Sequence, residues 1–208
     1  MLRIGALVSG GGTNLQAIMD AIDSGQIPNA SIELVISNKK NAYALERAES
    51  RGIETTVISR KPYDSVSEFD KALSDKLQEK QIDLVLLAGF MSILGPDFFT
   101  HFENRVMNIH PALIPSFSGP GFYGLKVHEA VLEYGCKLTG ASVHFVTPEV
   151  DAGPLIIQQA VEVQEGDTPE ELQRRVMEKA EWKIYPEAVR LFAEGRLRVE
   201  GRQVIISS

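Results

Sequence analysis

Short apolar runs closed by turn residues alternate along this chain with stretches of helical period, and that alternation commits a sequence to βαβ units around a mostly parallel sheet. It predicts strands at residues 3–9, 32–37, 54–58, 83–88, 105–109, 140–146 and 155–163. Helices are predicted at 14–24, 42–51, 65–79 and 126–134. A long final helix, 169–194, starts after Thr168 as N-cap with Pro169 at its first position. The tail "RLRVEGRQV" alternates about Glu200-Gly201 and reads as an exposed hairpin. The expected fold is α/β: a doubly wound, mostly parallel seven-stranded sheet with helices on both faces and a short C-terminal β-hairpin. At 208 residues the chain can bury one substantial core, so a single domain over 1–208 is expected.

Composition removes several classes of partner. No apolar run approaches the roughly 20 residues of a membrane span. The opening "MLRIGALVSGGG" is too short an apolar stretch for a signal peptide and runs into a glycine turn, so no export is implied. A single cysteine, Cys136, leaves no internal disulfide and no cysteine cluster for a metal, which fits a reducing, cytoplasmic location. A net charge of −7 argues against nucleic acid as main partner, and the tail arginines Arg196, Arg198 and Arg202 are accounted for by the hairpin.

Between the first strand and the first helix stands Gly10-Gly11-Gly12-Thr13-Asn14. Backbone N–H groups at a helix N-terminus, helped by the helix dipole, favour a phosphate or carboxylate. The dinucleotide fingerprint G-x-G-x-x-G fails from Gly10 because Leu15 stands where its last glycine belongs, and Ser37-Asn38 ends the second strand where an NAD site needs an acid. G-x-x-x-x-G-K-[ST] fails because no Lys-Ser or Lys-Thr follows. Two readings remain: a compact site for one phosphate, with Thr13 and Asn14 as extra donors, or a tight connection that binds nothing.

The segment "NIHPALIPSF" sets Asn108 and His110 at the end of a strand, in backbone stiffened by Pro111 and Pro115. The loop that continues to Lys126 has no helical or strand period, as functional or disordered loops do. Ligands of open α/β sheets sit beyond the carboxyl ends of the strands, so the glycine turn, His110 and Asp151 of "FVTPEVDAGP" are expected to face one cleft. There Asp151 would orient His110 and raise its pKa, His110 would be a general acid or base, and Asn108 would donate to a developing oxyanion. Ser116 and Ser118 lie in no G-x-S-x-G elbow and Cys136 falls between helix and strand, so attack by a substrate nucleophile on a carbonyl is the expected chemistry. Taken singly, the His is equally a satisfied polar group, the Asp a turn former and the Asn a cap. His144 either lines the same cleft or bonds a neighbouring strand, while His128 and His101 read as ordinary. With no H-E-x-x-H and no paired Cys, no catalytic metal is expected.

Asn108-Ile109-His110-Pro111 with "ALIPSF", and Asp151 in "VTPEVDAGPLIIQ", resemble the two signatures of the formyltransferase family, enzymes that use or hydrolyse 10-formyltetrahydrofolate. Within it, "SGGGTNLQAI", "LAGFMSIL" and "EWKIYP" resemble the branch that formylates phosphoribosylglycinamide in de novo purine biosynthesis, nearly end to end. The resemblance implies a Rossmann-like formyltransferase fold, Asn108, His110 and Asp151 as catalytic set, and 10-formyltetrahydrofolate as the formyl-donor cosubstrate. It implies that Gly11, Gly12, Thr13 and Asn14 bind the ribose phosphate and Glu181 meets the glycinamide amine. It further implies a folate site of Met91, Ser92, Ile93, Leu94, Asn108, Val146, Val150 and Asp151. Two positions depart from the family: Ser92 replaces a common arginine and Val66 a common basic residue, groups expected to meet the folate's anionic tail, for which Arg60 or Lys61 could stand in. Apart from its substrates, neither a nucleic-acid nor a membrane partner is expected.

Three other functions compete. A formyltetrahydrofolate hydrolase would share the Asn, His and Asp but has no need of a phosphate loop or Glu181. A transferase acting on initiator tRNA is opposed by the acidic charge and the lack of a basic C-terminal extension. A noncatalytic sugar-phosphate sensor would not need both His110 and Asp151.

Overall fold

A computed structural model describes residues 1–207, and the chain divides into two compact units, Met1–Asn108 and a second beginning at Ile109. The first contains β1 (Leu2–Val8), α1 (Thr13–Asp23), β2 (Ala30–Ser37), α2 (Tyr43–Glu49), β3 (Glu54–Val57), α3 (Val66–Glu79), β4 (Leu84–Ala88) and α4 (Pro96–Phe102). β5 (Val106–His110) runs across the division. Strand order here is β3-β2-β1-β4-β5, with every measured pair parallel. The order reverses at β1, which is the doubly wound pattern. In such a pattern, right-handed crossovers place helices on both faces of the sheet.

The residues explain the elements. β4 reads LVLLA and all five residues are buried, as in a parallel strand covered on both faces. α1 buries Leu15, Ile18 and Met19 at helical spacing. α3 opens with a capping box in which Ser65 and Glu68 each satisfy the other's backbone N–H. It packs on β1 where Gly5 removes the side chain, since a Cβ there would come 2.6 Å from Leu77 Cδ2. α4 was not predicted: its seven residues are too few to show a period, although Phe98, Phe99 and Phe102 all turn inward.

The second unit contains α5 (Leu125–Tyr134), β6 (Leu138–Phe145), β7 (Leu155–Glu162), α6 (Pro169–Val176), a π-helical turn (Met177–Glu181), α7 (Trp182–Ala193), β8 (Leu197–Glu200) and β9 (Gln203–Ile206). β6 and β7 are antiparallel, with a register shift between Val143 and His144. The hairpin β8–β9 joins the sheet through a parallel contact of Gln203 with Leu155, which gives nine strands ordered β3-β2-β1-β4-β5-β6-β7-β9-β8. The expected seven strands and hairpin are therefore present, with the hairpin taken into the sheet. The single long final helix is corrected: the π turn interrupts it, and α7 carries Pro186 within it. Among the described residues no helix is long and apolar enough to cross a membrane.

Candidate active site

The glycine turn makes a tight passage from β1 to α1. Gly12 has φ 72°, and a Cβ there would sit 2.5 Å from Ala44 Cβ and 2.9 Å from Ala44 Cα, so both conformation and space demand glycine. Cβ atoms at Gly10 or Gly11 would meet nothing within 4 Å. No side chain of the N-cap residue caps α1, and no acid stands in its first turn, so the helix dipole is available to an anion at Gly11, Gly12, Thr13 and Asn14. Arg47 of α2, which the sequence reading missed, donates from Nε to Gly11 O at 2.7 Å.

The loop after β4 is tied to the neighbouring strand ends. Met91 N–H donates to Ser9 Oγ at 2.8 Å, and Asn38 Nδ2 donates to Ser92 Oγ at 2.8 Å. Met91 and Ile93 are left exposed and Leu94 is buried. Ser92 thus fastens the loop where the family's arginine would present a cation. Val66 lies exposed at the start of α3 and close to Gly95, whose Cβ would come 2.9 Å from Val66 Cγ1. Arg60 is turned toward its own loop, donating to Tyr63 O at 2.5 Å. Asn108 lies half-buried in β5, in register with Leu87 of β4.

In the second unit the His and Asp of the prediction meet. Nδ1 of His110 is 3.5 Å from Asp151 Oδ2, and Nε2 of His144 is 3.7 Å from Asp151 Oδ1. Gly119 N–H donates to Asp151 Oδ2 at 3.0 Å, so the carboxylate also holds the long loop. The other ring nitrogen of His110, Nε2, donates to Phe117 O at 2.8 Å. Phe117 (φ 48°) and Asp151 (φ 52°) both adopt left-handed backbone conformations uncommon for residues with side chains, a strain that clusters at functional sites. The turn behind Asp151 admits only glycine at Gly153, where a Cβ would lie 1.7 Å from Phe145 O. Val146 is half-buried and Val150 exposed on this same loop.

Electrostatics correct one expectation. Burial pulls the His110 pKa below its ordinary value, and the Asp151 carboxylate and Phe117 carbonyl oppose this without reversing it. Burial raises Asp151, but the nearby His144 ring, the His110 charge and the Gly119 N–H together hold it below the usual carboxylate range. His128, read as ordinary, is wholly buried in α5 with neither ring nitrogen hydrogen-bonded. Burial, with His110 nearby, depresses its pKa to about 4. Glu181 is a buried carboxylate at the end of the π turn, a local geometry that recurs at functional sites.

The chain is similar to known proteins along nearly its whole length. The family described as "Formyl transferase" matches residues 2–189. The phosphoribosylglycinamide formyltransferase of Haemophilus influenzae is 43% identical over 200 residues, covering 96% of this chain and 91% of that protein. The trifunctional purine biosynthetic protein adenosine-3 of Gallus gallus is 46% identical over 200 residues, and there the chain spans only 19% of the relative's length. The crystal structure of glycinamide ribonucleotide transformylase 1 from Symbiobacterium toebii superposes with a TM-score of 0.94 at 49% identity, covering 100% of this chain and 95% of that one.

Proposed function

The chain belongs to the formyl transferase family, and we propose that it transfers the formyl group of 10-formyltetrahydrofolate to the amino group of 5'-phosphoribosylglycinamide. The observation that carries the reading is the pairing of His110 with Asp151, fixed by strained backbone on both sides of the ring. Similarity to relatives named for this activity supports the choice of substrates.

The roles follow from the chemistry of each group. A carbonyl can only accept, so the Nε2 that bonds Phe117 O carries a hydrogen and Nδ1 is the atom free to gain and lose one. Nδ1 faces Asp151, whose low pKa keeps it anionic and able to stabilise the imidazolium. The acceptor amine attacks the formyl carbonyl directly, and Asn108 and His110, held protonated by the facing Asp151, stabilise the oxyanion. As the C–N bond to the folate breaks, His110, with its lowered pKa, passes its proton to the departing nitrogen and regains one from the attacking amine. Gly11, Gly12, Thr13 and Asn14 take the ribose phosphate, and Glu181 takes the glycinamide amine. Met91, Ser92, Ile93, Leu94, Val146 and Val150 border the pterin, with Asn108 and Asp151 touching the folate. The reading takes 1–208 as one functional domain and places it in the cytoplasm.

The test is absorbance-monitored loss of 10-formyltetrahydrofolate with and without phosphoribosylglycinamide. Conversion should require the acceptor, vanish in His110→Ala and fall about 100-fold in Asn108→Ala, the size of one lost oxyanion donor. Equal conversion without acceptor would make the protein a hydrolase.

A further inference from the structure

The glycine loop is gripped from one side by α2. Ala44 N–H donates to Gly10 O at 3.0 Å, and Arg47 Nε donates to Gly11 O at 2.7 Å. In a planar trans peptide the N–H points opposite to the C=O. Drawing these two carbonyls toward α2 therefore turns the N–H groups of Gly11 and Gly12 away from it and toward one another's side, the arrangement of an anion-binding nest. The first grip uses backbone alone. The second depends on a side chain, and that side chain is itself immobilised: Arg47 Nη1 donates to Gln16 Oε1 at 3.0 Å, and the guanidinium lies 4.8 Å from the centre of the Tyr43 ring. Arg47 thus ties the loop before α1 to the outer face of α1 by the fork of one guanidinium.

We propose that Arg47 is a positioning residue for the phosphate of the acceptor, acting through the Gly11 carbonyl. The proposal rests on the reading of residues 11–14 as the phosphate site. Lysine could supply the same charge but not the planar fork that spans Gly11 and Gln16 together. Alanine would release the Gly11 peptide to rotate and would leave its carbonyl without this donor.

Steady-state kinetics on the full chain tests this, with Arg47→Ala, Arg47→Lys and the wild type compared after thermal melts establish that each is folded. Arg47→Ala should raise KM for phosphoribosylglycinamide about tenfold, as expected for loss of a charge-assisted hydrogen bond, with KM for 10-formyltetrahydrofolate and kcat within about twofold. Arg47→Lys should recover part of the acceptor KM. Calorimetric titration with ribose 5-phosphate should show a matching loss of affinity in Arg47→Ala. An unchanged acceptor KM, or a parallel rise in both KM values, would overturn the proposal and leave the phosphate reading standing. Wild-type protein that neither binds ribose 5-phosphate nor distinguishes the acceptor from its dephosphorylated form would remove the phosphate reading and this proposal with it.

Discussion

Nε2 of His144 stands 3.7 Å from Oδ1 of Asp151, the carboxylate oxygen that His110 does not face. Burial works to raise the Asp151 pKa, and the nearby His144 ring leads the influences that bring it below the usual range. His144→Phe should therefore raise it, shifting the acid limb of the kcat/KM profile to higher pH. An acid limb that stays in place would show that His144 only fills space.

His128 makes a stability prediction with a definite sign. Its pKa falls from 6.5 to about 4 on folding, so below about pH 6.5 the unfolded chain binds a proton that the folded one refuses. Stability must drop as pH falls through that window, by about 2 kcal/mol at pH 5 relative to pH 8. His128→Met should lack this component. Urea denaturation of both proteins at the two pH values checks it, and an equal difference between them at both would sink the idea.

Gly11 and Gly12 should separate function from stability. Gly12→Ala meets Ala44 at 2.5 Å and a left-handed backbone, and should cost about 2–4 kcal/mol of folding stability. Gly11→Ala meets nothing and should stay within about 0.5 kcal/mol while weakening acceptor binding. Thermal melts beside acceptor KM values read both effects.

Asp70 is wholly buried on α3, its carboxylate near the backbone N–H groups of Gly95 and Phe98 without completing a hydrogen bond to either. Burial pushes its pKa up, against those N–H groups and despite Arg60, with Asp97 adding to the rise. The folded chain thus keeps a proton that the unfolded chain gives up, and stability declines as pH climbs above the ordinary carboxylate value. Asp70→Asn should melt higher than wild type at pH 7, with the gap narrowing toward pH 4. A gap that is the same at every pH would point to packing instead.

Much of this was readable in the sequence, because each strand is an apolar run between turn residues and the helices bury residues at fixed spacing. What escaped was non-periodic or long-range. PDFFTHF is too short for a period, and the π turn adds one residue to a helical pattern that otherwise continues unbroken. The pairing of His110 with Asp151 was anticipated from chemistry, but its details depend on Gly119, Phe117 and His144, which reach the carboxylate or ring from other parts of the chain. Burial of His110, which reverses the expected pKa shift, is a property of packing that no local pattern encodes. Arg47 is separated by 36 residues from the carbonyl it holds, so nothing in its own helix marks it.

The two outermost strands, β3 and β8, have only four residues each. Glu54 on β3 is paired with Lys80, and Arg198 with Glu200 along β8. An open sheet offers its last strands as templates to any passing extended peptide, and short, charged edges are a poor template. The hairpin that extends the sheet beyond β7 therefore replaces an eight-residue edge with a four-residue one, and its consequence is resistance to strand-on-strand aggregation.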